Sequence, residues 1–89
     1  MFAKLFTTED RGQLLVVRQT NPDGDPEMRV YCEPEGLGVC SVALSWDDDD
    51  KGWDLQESCF ERYTEELARK LTDNIFQQAA EMFGQNKQI

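Results

Sequence analysis

Met28-Arg29-Val30-Tyr31-Cys32-Glu33-Pro34-Glu35-Gly36-Leu37-Gly38-Val39-Cys40-Ser41-Val42-Ala43-Leu44-Ser45-Trp46 is the stretch that decides the fold. Its two arms are apolar at alternate positions, and Pro34-Glu35-Gly36 lies between them. With Gly36 at the centre of the turn, Cys32 faces Cys40, Val30 faces Val42 and Met28 faces Leu44. All six are apolar and share one face, as the two-residue period of a strand demands. The stretch therefore reads as an antiparallel hairpin with strands over residues 28–33 and 37–46, and Gly38 is placed for a bulge.

Upstream, Asn21-Pro22-Asp23-Gly24 puts Asn first, Pro second and Gly fourth, the order that a type I turn prefers. A turn centred between Asp23 and Gly24 sets Val17 opposite Val30 and Leu15 opposite Cys32. This gives a strand over residues 13–20. Glu9-Asp10-Arg11-Gly12 separates it from a first strand over residues 2–8, with Gly12 suited to a left-handed position. Leu14-Leu15-Val16-Val17 is apolar on both faces, and Phe2 and Phe6 are expected to add to the outer one. Such short turns make the strands sequential neighbours in a meander.

Downstream, Asp47-Asp48-Asp49-Asp50 is a poor strand and a poor helix interior, so it ends the fourth strand. Asp54 reads as a helix N-cap, with Glu57 three residues on as in a capping box. Phe60, Tyr63, Leu67, Leu71, Ile75, Ala79 and Met82 then follow at steps of three or four, one apolar stripe of an amphipathic helix. Leu55 and Cys59 lie about half a turn off this stripe at ~100° per residue, which marks residues 59–64 for a kink or break. Gly84 reads as the C-cap, and residues 85–89 are expected to fray. The expected architecture is α+β: a four-stranded antiparallel meander with one long C-terminal helix packed on one face (ββββα, two layers), in a single domain over residues 1–84.

The composition narrows the function. Eighty-nine residues allow one small domain. Nine Lys plus Arg against eighteen Asp plus Glu leave a net charge of −9, a surface that repels phosphate and argues against direct nucleic-acid binding. No apolar run approaches ~18 residues, so no membrane span is expected. Lys4 interrupts the apolar start, so no signal peptide is expected there. Histidine is absent, and with it the usual proton shuttle and metal ligand. Cys32, Cys40 and Cys59 are an odd number without metal-site spacing; they read as free thiols of a cytoplasmic protein.

Several features offer a functional reading beside a structural one. An EF-hand alignment with Gly52 at position six puts Lys51 at a ligand position and Ser58 where the closing glutamate belongs, so no metal site is expected. Asp47, Asp48, Asp49, Asp50, Asp54, Glu57, Glu61 and Glu65 form a candidate acidic surface. The last three glutamates stand about 6 Å apart along a helix, close to the phosphate spacing of a nucleic-acid strand. Their structural reading is the favourable placement of acids near a helix start, with Glu65 to Arg69 and Glu66 to Lys70 as i,i+4 pairs. Trp46 reads as core. Trp53 is either a staple at the helix start or an aromatic anchor for a partner. Phe76, Ala80 and Phe83 make a second apolar stripe, wider than one sheet face needs; with Trp53 they form a candidate partner interface.

No catalytic residue, cofactor site or metal site emerges: the chain has no glycine-rich phosphate loop, zinc motif or nucleophile elbow. The expectation is a small acidic protein that binds a protein partner or forms a homodimer, without enzymatic activity, direct nucleic-acid binding or membrane association. The alternatives are an acidic nucleic-acid mimic that inhibits a DNA- or RNA-binding protein, and a small ligand-binding protein or enzyme. In size, acidity and layout the chain resembles small phage-encoded inhibitors and accessory proteins, a likeness of shape and composition that no specific motif carries.

Overall fold

In the computed structural model, which describes residues 2–84, the strands β1 (Ala3–Thr8), β2 (Gly12–Thr20), β3 (Pro26–Cys32) and β4 (Cys40–Ser45) form one antiparallel sheet in sequential order. Two helices follow, α1 (Asp50–Arg62) and α2 (Glu65–Ala79), and the second widens into a π-helical turn over Ala80–Gly84. The fold is the expected α+β meander, with the helical segment broken in two. Residues 85–89, expected to fray, lie outside the described residues.

The β3–β4 hairpin has the expected register: Cys32 pairs with Cys40, Val30 with Val42 and Met28 with Leu44. Its loop is longer than expected, because β4 begins at Cys40. Gly38 is a left-handed loop residue (φ +70°) and forms no bulge in a strand.

The β2–β3 register differs from the expectation by one residue. Val16, not Val17, pairs with Val30, and Leu15 pairs with Tyr31. The type I turn itself forms, with the Gly24 amide donating to the Asn21 carbonyl at 2.9 Å. The connection then takes one more residue, Asp25, whose amide donates to Asn21 Oδ1 at 2.9 Å. This moves the centre onto Asp23. A shift of one residue exchanges the two faces of a strand. Leu14 and Val16 are therefore fully buried, and Leu15 stays exposed. Phe6, paired with Leu14, joins the core and leaves the outer face, whereas Phe2 stays exposed with Arg18 over its ring.

The helices cover one face only. Leu14, Val16, Met28, Val30 and Cys32 pack beneath Phe60, Tyr63 and Ala68, flanked by Leu71, Ile75, Phe76 and Trp46. The buried line of α2 runs through Ala68, Thr72 and Ala79; Leu67 and Met82, placed on the stripe by periodicity, are exposed. The α1 N-cap is Asp49, whose Oδ1 accepts from the Gly52 amide at 2.7 Å, and not Asp54. Gly52 explains the earlier start. A Cβ there would lie 1.8 Å from the Asp47 carbonyl oxygen, so the acidic run folds tightly over the first helical turn. An acid at Asp50 suits the positive end of the helix dipole.

The break falls within the marked segment. Tyr63 leaves the helical region (ψ 134°) and Thr64 caps α2, its hydroxyl accepting from the Leu67 amide. Lys4 secures this joint. Its ammonium donates to the Phe60 and Glu61 carbonyls and lies 4.9 Å from the Phe60 ring centroid. A cation at a helix C-terminus is favourable for both the hydrogen bonds and the dipole.

Candidate protein-binding surface

The strand pairings fix what each face of the sheet presents. Because partners across a ladder share a face, Leu5, Leu15, Tyr31 and Ser41 form one row on the side away from the helices, and Ala3, Val17, Arg29 and Ala43 form the next. Nothing among the described residues covers these rows. Leu5 is 54% exposed, Leu15 36%, and Val39 at the neighbouring corner 70%. Leu5, Leu15, Tyr31 and Val39, with Gln13 and Glu33, line a shallow dish of about 400 Å³.

The opposite end of this face is polar and internally satisfied. Glu27 accepts from Gln19 at 2.8 Å and from Arg29 at 3.0 and 3.1 Å, and Arg29 also donates to Ser41 Oγ at 2.8 Å. The Arg29 guanidinium holds the Glu27 carboxyl below its ordinary range.

A second cleft, of about 380 Å³, lies where the end of α2 meets the β1–β2 turn and the β3–β4 loop. Phe76, Ala80 and Phe83 line it together with Asp10, Arg11 and Pro34. Both rings are half-buried and have neighbours within the chain. The Arg11 guanidinium lies 4.8 Å from the Phe76 ring centroid. A Cβ on Gly36 would meet the Phe83 ring at 2.8 Å. Ala80 is exposed.

The cleft wall is clamped by charge. Arg69 forms a paired bridge to Asp10 at 2.7 Å, and Arg11 bridges Asp73 at 2.7 Å. Arg69 thus turns to the β1–β2 turn, while the expected i,i+4 pair of Glu66 with Lys70 is present at 3.7 Å. Arg69 holds the exposed Asp10 carboxyl down to about 2.

The eight candidate acidic residues are all exposed: Asp47, Asp48, Asp49, Asp50, Asp54, Glu57, Glu61 and Glu65. Two also hold local structure, Asp49 as the cap and Asp48 as acceptor for the Trp53 indole N–H at 2.9 Å. This contact keeps the half-buried Trp53 against the acidic loop. At ~100° per residue, Asp50, Asp54, Glu57 and Glu61 fall within an arc of about 60° on α1, away from the buried Gln56 and Phe60.

Periodicity missed the buried Gln56. Its Nε2 donates to the Gln19 and Glu27 carbonyls at 2.9 and 2.8 Å, and its Oε1 accepts from Arg18 at 3.2 Å. A glutamine between acidic neighbours carries no sequence signal for such a role.

Among the described residues no Cys, Asp or Glu cluster is placed to hold a metal ion, and no helix is long and apolar enough to cross a membrane. No protein-family model, curated protein or solved structure matches the chain.

Proposed function

We propose that this protein acts by binding another protein chain, without catalysis, through the uncovered face of its sheet. The observation that carries this reading is the continuous apolar row Leu5–Leu15–Tyr31, with Val39 at its corner, on the face opposite both helices. Single exposed leucines are ordinary on a protein surface, but a contiguous apolar patch marks an interaction site. The half-buried rings of Phe76 and Phe83 are engaged by Arg11 and Gly36, so the sheet face carries more of the argument than the α2 end. The thiols also favour binding over chemistry. Burial pushes Cys32 up to about 11, with Cys40 adding to the rise, and burial also raises Cys59. A protonated thiol is a poor nucleophile.

The test is a capture experiment from host lysate with the wild type and a Leu5→Ser/Leu15→Ser variant as bait, at about 0.1 M and about 0.5 M salt. A partner held at both salts by the wild type and lost by the variant supports the reading. Capture that the variant leaves unchanged refutes it.

A second reading, an acidic nucleic-acid mimic occupying a DNA- or RNA-binding protein, is favoured by the carboxylate arc of Asp50, Asp54, Glu57 and Glu61. Its signature is the opposite one. Capture falls steeply between the two salts, is lost on Asp54→Asn/Glu57→Gln, and is indifferent to the leucine substitutions.

A further inference from the structure

We infer that the occupant of the uncovered sheet face is a second copy of this chain, in a two-fold homodimer that joins the two sheets face to face. The inference rests on the binding role proposed for this face and commits it to one partner.

Charge selects the partner. The chain carries −9 overall. On the outer face of the paired strands, one acid and one base, Glu27 and Arg29, occur, and they are bonded to each other. Glu33, at the Val39 corner of the dish, adds one carboxylate, so this face carries little of the negative excess and most of it lies elsewhere. A basic partner would be drawn to the exposed carboxylates of α1 and of the loop before it. Two copies of this chain repel there, and the sheet face, with Glu33 only at its corner and Glu27 held by Arg29, is where they meet with least repulsion.

Shape agrees with charge. The row beside Leu5, Leu15 and Tyr31 holds the small side chains Ala3, Val17 and Ala43 and one arginine, Arg29, tied down along the sheet by Glu27 and Ser41, which leaves a surface fit to pack on another at ~10 Å. A two-fold axis brings the same patch from both copies together, and an apolar patch of low charge complements itself. Four strands of about six residues span roughly 20 Å by 20 Å. Two such faces bury less than ~1,200 Å² in total, the class of reversible complexes. The dimer is therefore in exchange with monomer at micromolar concentration.

Sedimentation of the purified full chain from about 1 µM to 1 mM, at low and high salt, tests this. The expected result is a concentration-dependent monomer–dimer equilibrium that tightens several-fold as salt screens the repulsion between the two acidic copies. Leu5→Ser/Leu15→Ser, which leaves the charge unchanged, should remain monomeric throughout, while Leu55→Ser on α1 should dimerise as the wild type does. A wild type that is monomeric at 1 mM overturns the inference regardless of how the variants fold, as does a dimer that the leucine pair leaves intact. If the wild type is monomeric but its capture of a lysate protein depends on the same leucines, the homodimer fails and the binding role survives. If neither is seen, both fail.

Discussion

Leu14 and Leu15 are the same amino acid one position apart, yet Leu14 is sealed beneath the helices and Leu15 remains in water. The difference extends over the whole sheet. One face, through Leu14, Val16, Met28 and Val30, meets α1 and α2. The other keeps Leu5, Leu15 and Tyr31 unmatched. Both faces are rich in apolar side chains, so hydrophobicity alone does not say which is the core. The covering helices decide it, and the apolar surplus on the other face is what a binding surface needs.

The most severe test places one charge on each face in turn. Val16→Asp buries a carboxylate with no cation beside it, a cost of several kcal/mol. That is comparable to the whole stability expected of a domain this size, ~5–15 kcal/mol. The variant should be largely unfolded by far-UV circular dichroism at 25 °C. Leu15→Asp should unfold within about 1 kcal/mol of the wild type in urea, because its side chain already meets solvent. If both variants unfold, the outer face is structural; if both fold, the register of β2 is wrong.

That register shows where the sequence stops being informative. The β3–β4 hairpin was legible because its alternation is clean: slipping it by one residue would bury Arg29 and expose Val30. In β2, Leu14-Leu15-Val16-Val17 satisfies the pattern in either register, so the connection decides, and Asp25 sits beyond the recognisable turn. The break near Tyr63 was legible because two apolar phases, one through Leu55 and Cys59 and one through Phe60 and Leu67, cannot share a straight helix. The clamp of Arg11 and Arg69 on Asp73 and Asp10 was not legible, since it depends on bringing the first turn to the last helix. The eight candidate acids are all exposed, whereas Leu5 and Val39 gave no signal because each looks like an ordinary strand residue, and Leu15 gave an ambiguous one because its tract is apolar on both faces.

Gln56 is the polar pin between α1 and the covered face, and it gives the next largest effect. Gln56→Ala leaves the Gln19 and Glu27 carbonyls without their donor and removes the acceptor for Arg18. Unmet buried groups of this kind cost about 1–3 kcal/mol. The urea midpoint should fall accordingly, while dimerisation through the far face should persist once the protein is folded. An unchanged midpoint would mean that α1 sits on the sheet by apolar packing alone.

The cap of α1 is a smaller effect and a sharper discrimination. Asp49→Ala removes the acceptor for the Gly52 amide and should cost about 0.5–2 kcal/mol. Asp54→Ala, at the position that sequence reading assigned to the cap, should change stability by less than ~0.5 kcal/mol. Thermal denaturation of the pair decides between the two starts of the helix, and the reverse ranking would restore Asp54.

The smallest effects come from titration, and the two faces should titrate at opposite ends of the pH range. Cys32 lies on the covered face, and its folded pKa is raised from 9.0 to about 11. A raised pKa means stability that is complete below pH 9 and lost as pH climbs towards 11. Glu27 lies on the open face, and Arg29 lowers its pKa below 4.5. A lowered pKa means stability that is complete above pH 4.5 and lost as pH falls below it. No single group can contribute a slope steeper than about 1.4 kcal/mol per pH unit. Denaturant unfolding across pH 3–11 should therefore show a stability plateau with two shoulders, and each should answer to its own variant. Cys32→Ala should flatten part of the alkaline shoulder, leaving the share of Cys59 and Tyr63, whose burial raises them too. Glu27→Gln should flatten part of the acid shoulder, leaving the share of Asp10, which Arg69 holds down to about 2. An alkaline shoulder unmoved by Cys32→Ala would mean that the thiol is not sealed under the helices. The division between a closed face and an open one would then fail at the buried thiol of Cys32.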